Sequence, residues 1–133
     1  MVGMTVRGAN YPRQPNDYYA TPPEVVDALL ARVKLGPVIC DPACGKHRNI
    51  IKAARRHGLE ASGFDLASGR DFLKMKAVSG DLLANPPYDS PGGRGGRLAL
   101  QFIEHALMLT KPYRGRVAML LPIDFDSGKT RRH

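Results

Sequence analysis

The sequence predicts an α/β domain whose strands form an open, mainly parallel sheet covered by helices. Three observations carry that expectation. Short apolar runs at Val38–Cys40 and Arg116–Leu121 read as buried strands, the second apolar enough to be covered on both faces. Apolar residues between them return at helical spacing, as Ile50, Ile51 and Ala54 and again as Leu98, Phe102, Ala106 and Leu109. Finally, Val38–Cys40 runs into a glycine turn, a helix, a second strand and then Asp65, the order of a nucleotide-binding βαβ unit.

Taken in order, residues 1–17 are polar, are interrupted by Pro12 and Pro15, and predict an extended, poorly ordered lead-in. Thr21-Pro-Pro-Glu24 has the form of a helix start, with Thr21 as N-cap, Pro22 in the first turn and Glu24 completing a capping box. Val25, Val26, Leu29, Leu30 and Val33 then mark a helix that Gly36–Pro37 ends. After the strand at Val38–Cys40 comes the turn Asp41–Gly45, then a helix from Asn49 to Arg56 that Gly58 closes. Ala61–Phe64 predicts the second strand, Gly69–Leu73 a third strand or turn, and Asp81–Ala84 the fourth. A glycine-rich loop carrying Arg94 and Arg97 precedes the helix Leu98–Leu109, and Arg116–Leu121 is the fifth strand. No internal repeat or domain boundary interrupts the 133 residues.

Composition narrows the function. Net charge is +8, from 20 Lys and Arg against 12 acids, which favours a polyanionic partner without specifying one. No apolar run reaches membrane-spanning length and the N-terminus lacks the layout of a signal peptide, so the expected location is cytoplasmic. Cys40 and Cys44 have neither metal-site nor disulfide-scaffold spacing and read as small buried residues. His47, His57, His105 and His133 show no metal or triad spacing, and no metal is expected. Asp126–Thr130 ends like a phosphate-binding loop, but the earlier glycine is replaced by Ile123 and no helix follows.

The chemistry concentrates in Asn85-Pro86-Pro87-Tyr88, at the end of the fourth strand. Two proline rings fix φ, and Pro87 holds Pro86 extended, so the carbonyls of this turn point in set directions. With Tyr18-Tyr19-Ala20-Thr21-Pro22-Pro23 and Asp41-Pro42-Ala43-Cys44-Gly45 upstream, the chain resembles the S-adenosylmethionine-dependent DNA adenine-N6 methyltransferases. The resemblance spans roughly residues 17–125 and is nearest to phage and mobile-element enzymes. Asn-Pro-Pro-Tyr also occurs in methylases of ribosomal RNA and of release-factor glutamine.

That resemblance implies a Rossmann-like class I methyltransferase fold with strand order 3-2-1-4-5, counted from Val38. It also implies that the family's later strands and its target recognition region are missing after Leu121, leaving residues 126–133 as a basic tail and the edge of the last strand exposed. The implied catalytic residues are Asn85, Pro86, Pro87 and Tyr88: the Asn85 side-chain oxygen and Pro86 carbonyl accept from the adenine amino group, and Tyr88 stacks on a base flipped out of DNA. The implied cofactor residues are Tyr19 and Thr21 at the methionine end, and Asp41, Pro42, Ala43 and Gly45 around the methionine moiety. Asp65 would take the ribose hydroxyls with Leu66 beside it, and Asp71 and Phe72 would flank the cofactor adenine. One departure stands out: Lys46-His47-Arg48 replaces the family's second glycine. That substitution keeps open the alternative of a non-catalytic domain that binds nucleic acid or cofactor.

Overall fold

The computed structural model describes residues 20–122 and the backbone of one strand, Val2–Val6. The strands are β1 (Val2–Val6), β2 (Val38–Asp41), β3 (Glu60–Gly63), β4 (Asp81–Ala84) and β5 (Val117–Pro122). They form one sheet in the order β1-β5-β4-β2-β3, with every pairing parallel. Helices α1 (Pro23–Arg32), α2 (Asn49–Arg56) and α3 (Arg97–Thr110) cover it.

Side-chain alternation along the strands divides the core in two. Ile39, Leu83, Ala118 and Leu120 face α1 and α2, meeting Val26, Leu29, Ile50 and Ile51. Cys40, Leu82, Ala84, Val117 and Met119 face α3, meeting Phe102, Ile103 and Ala106. At the amino end of β4, the Asp81 carboxylate accepts from the backbone N–H of Gly36 and of Arg116, both at 2.8 Å. One acid thus registers the approaches to β2 and β5 on either side of its own strand.

The structure corrects three expectations. The first is the implied strand order 3-2-1-4-5: of the two forms open to Gly69–Leu73 the structure has the turn, with 3-10 turns at Leu66–Ser68 and Phe72–Lys74, so no third strand lies beyond β3. Asp65 and Asp71 cap these turns, accepting from Ser68 N (2.8 Å) and Leu73 N (3.0 Å). Such local bonds compete with a strand ladder for the backbone donors. In consequence β3 is the edge strand, and its outward carbonyl at Ala61 accepts from Arg55 Nη2 at 2.8 Å instead of from another strand.

The second correction concerns the N-terminal lead-in. Val2–Val6 pairs with β5, from Val2↔Ala118 to Val6↔Pro122, so the apolar strand expected to be exposed is interior to the sheet. That pairing removes the predicted edge hazard. The third correction is at α1, which starts one residue later than expected, with Pro22 at the cap position and no side-chain capping bond. The Thr21 hydroxyl is engaged elsewhere, as described below.

Among the described residues no helix is long and apolar enough to cross a membrane. The tail at 126–133, with its Gly-Lys-Thr, lies outside the described residues.

Candidate functional site

From β2 the chain passes through α2 to β3 on one side, then crosses to β4 on the other. The turns leaving β2 and β4 therefore part company at the carboxyl end of the sheet, one towards α2 and one towards α3, on opposite faces. Parallel sheets bind ligands in the crevice opened at such a reversal. The sequence motifs Asp41–Gly45 and Asn85–Tyr88 are those two turns.

The first turn is built around a buried acid. Asp41 is 1% exposed; its Oδ1 accepts from Ala43 N at 2.9 Å, while Oδ2 is buried without a hydrogen-bond partner among the described residues. Burial pushes its carboxyl up to about 7, against the bond from Ala43. Pro42 and Gly45 are buried and Ala43 half-buried. Cys44 N donates to Phe64 O (3.0 Å) and Phe64 N to Asp41 O (3.1 Å), tying the turn to the end of β3. Gly63 permits this closeness, since a Cβ there would stand 2.6 Å from Asp41 O. Cys40 is buried and Cys44 half-buried, both are free cysteines, and burial raises each thiol to about 11, so both hold their protons near neutral pH. Beyond them Lys46, His47 and Arg48 are exposed, and Arg48 takes the left-handed φ of 55° as it enters α2.

The second turn is tied through Thr21 to the start of α2. Asn85 Nδ2 donates to Thr21 Oγ1 at 3.2 Å, and Asn49 Nδ2 donates to Thr21 O at 2.8 Å. Thr21, itself buried, thus bridges the start of α2 and the end of β4. This explains why it does not cap α1. Pro86 is buried, Pro87 is half-buried, and Tyr88 packs its ring partly against the α3-side core. Tyr88 O accepts from Ala99 N (3.1 Å) and the buried Asp89 carboxylate from Arg97 N (3.0 Å). A carboxylate at the start of α3 complements its dipole and fixes the turn on the helix.

The remaining predicted residues divide. Asp65, half-buried at the end of β3, holds Ser68 N through Oδ1, and the Cys44 thiol lies 3.9 Å from Oδ2. A carboxylate has about four acceptor sites, so capacity for further donors remains. Leu66 beside it is 72% exposed, the most exposed large apolar side chain described. Asp71 caps its own turn. Phe72 departs from expectation: it is 1% exposed, with Phe102 at 5.2 Å and His105 edge-on at 5.0 Å between ring centroids. Its ring is core to α3, which leaves no face for an adenine. His105 bonds Met75 O at 2.8 Å and pins the same segment.

Tyr18 and Tyr19 lie outside the described residues. Asn49 and Asp89 position the site, and nothing in the sequence singled them out. Their signal was weak, because a polar residue beside a helix start is common at any cap. Fold and site define a parallel α/β domain whose switch point is flanked by the Asp41–Gly45 and Asn85–Tyr88 turns, with Thr21 bonded to Asn85 and Asn49 between them. Comparison with protein-family models, with curated proteins and with solved structures finds no match.

Proposed function

We propose that this chain is a Rossmann-like, S-adenosylmethionine-dependent methyltransferase acting on the N6 amino group of adenine in DNA. The observation that supports it most is the bond from Asn85 Nδ2 to Thr21 Oγ1, which joins the Asn-Pro-Pro-Tyr turn to the segment before α1 at the switch point.

Each end of the cofactor would meet groups suited to it. Asp41 Oδ2 is a buried acceptor without a partner among the described residues, suited to a cationic amino group. Asp65 keeps acceptor capacity for a ribose diol, and exposed Leu66 offers an apolar surface to an adenine in place of Phe72. Pro42, Ala43 and Gly45 would complete the methionine end with Thr21 and Tyr19, and Asp71 would stand near the adenine. S-adenosylmethionine supplies an already activated sulfonium methyl group, so the protein's task is to position and prepare the nucleophile.

Adenine's exocyclic nitrogen is a weak nucleophile because its lone pair is delocalised into the ring. Asn85 has one side-chain acceptor, Oδ1, and the anchoring of Nδ2 on Thr21 sets the plane in which it lies. That oxygen and the stiffly held Pro86 carbonyl would accept from the two amino N–H groups, drawing the nitrogen towards tetrahedral geometry and localising the pair. Tyr88 would stack on the base, which must leave the duplex to expose its amino group.

A second reading, a domain that binds nucleic acid without turnover, is favoured by the burial of Phe72 and by Lys46–Arg48 in place of glycine. Methylases of ribosomal RNA or release-factor glutamine share the chemistry and are separated by substrate assay. Titration calorimetry with S-adenosylmethionine tests the first reading: saturable binding is expected, and its absence would favour the second. Asp65→Ala should then weaken binding by about 2 kcal/mol, roughly thirtyfold, for the loss of a charge-assisted bidentate contact. Unchanged affinity in that variant would remove Asp65 from the site.

A further inference from the structure

We propose that Lys46 and Arg48 on one side, and Arg94 and Arg97 on the other, form a two-sided cationic rim that grips nucleic-acid phosphates flanking the switch point. The inference rests on the reading of the switch point as the seat of a nucleic-acid base, and it assigns the partner's backbone to particular side chains. The two pairs leave the carboxyl ends of neighbouring parallel strands, β2 and β4, and enter helices on opposite faces of the sheet. They therefore flank the switch point from opposite faces of the sheet.

All four side chains are exposed, and none makes an ion pair with a described acid. The acids at this end are withdrawn or committed. Asp41 and Asp89 are buried, Asp89 bonded to the Arg97 backbone, and Asp65 caps its own turn. No acid occupies the first turn of α2 either. Positive charge on both sides, with the negative charge drawn inward, suits a chain of phosphates crossing the switch point. A lone small anion would need only one side.

Each phosphate that a cation neutralises releases counterions, and so steepens the fall of affinity with rising salt. Binding of a fluorescently labelled duplex of about twenty base pairs, and of its single strand, would be followed by anisotropy across a salt series. Lys46→Gln with Arg48→Gln, and separately Arg94→Gln with Arg97→Gln, should each reduce the logarithmic salt slope by about 1.8, at roughly 0.9 for each duplex phosphate no longer neutralised. On the single strand the reduction should be about 1.4, at roughly 0.7 for each phosphate. Arg48→Gly, which suits the left-handed backbone, should give half the effect of its pair and guards against a folding artefact.

Lys111→Gln with Arg114→Gln is the control. These exposed residues precede β5, at the amino end of the sheet, and the slope should not change. Equal slope losses in control and rim variants would mean diffuse attraction by net charge and overturn the rim. S-adenosylmethionine titrations on the same proteins separate the two readings. Rim variants that lose cofactor affinity but keep the salt slope would overturn the rim alone. Slope losses as expected in a chain that binds no cofactor would sustain the rim and end the methyltransferase reading.

Discussion

Asn85→Ala is expected to slow methyl transfer to DNA adenine by about a hundredfold to a thousandfold while leaving S-adenosylmethionine affinity within about threefold. The asymmetry follows from where the amide acts. On the proposed reading its oxygen would gain strength as an acceptor only while the adenine nitrogen is changing geometry, so its loss would be felt in the transition state far more than in either bound ligand. Single-turnover rates with excess enzyme, alongside cofactor titrations, measure the two quantities separately. Asn85→Asp is the informative companion. It keeps an acceptor oxygen, and the Thr21 hydroxyl can turn to donate to it, so it should retain more activity than the alanine variant. Equal rates in Asn85→Ala and the parent chain would place the chemistry elsewhere.

Asp41→Asn is expected to change how stability depends on pH. The carboxyl holds its proton up to about pH 7 in the folded chain, against 3.8 as the ordinary value. Between those values the folded protein carries a proton that the unfolded chain has released, so stability falls as pH rises. The stability that goes with the neutral carboxyl is fully present below about pH 4 and lost by about pH 7, amounting to roughly 4 kcal/mol. Asparagine cannot ionise, keeps the oxygen that accepts from Ala43, and adds one buried donor without a described partner. The variant should match the parent near pH 5 and exceed it by about 1–3 kcal/mol at pH 8, after the cost of that donor. Denaturant unfolding at the two pH values decides it, and parallel pH profiles would mean that Asp41 is already ionised. If Asp41 meets a cofactor ammonium, binding near pH 6 should release a proton, visible as a binding heat that depends on the buffer.

The sequence made the centre of the domain legible because local pattern and tertiary role agree there. Asn49–Arg56 matches α2 at both ends, and the strand at Asp81–Ala84 matches β4, since each has an apolar rhythm that burial enforces. The two site turns were legible through their stiff prolines and their glycine. What stayed hidden depends on residues far apart in the chain. Thr21 has the composition of a cap, yet its hydroxyl meets Asn85, 64 residues away. Phe72 follows an acid as a cofactor contact would, but Phe102 and His105 draw its ring into the core. Val2–Val6 is too short to announce itself, and only the unfilled edge of β5 makes it a strand.

That pairing sets a condition on the order of assembly. Val2 finds its partner at Ala118, nearly the whole described chain away, and this is the most distant pairing in the sheet. A contact of such separation forms late, because the intervening loop must already be condensed before closure is rewarded. During synthesis the first strand leaves the ribosome long before its partner exists. It must wait, unpaired, until β5 has emerged. Refolding should therefore show β2, β3 and β4 protected from hydrogen exchange before the seam between β1 and β5.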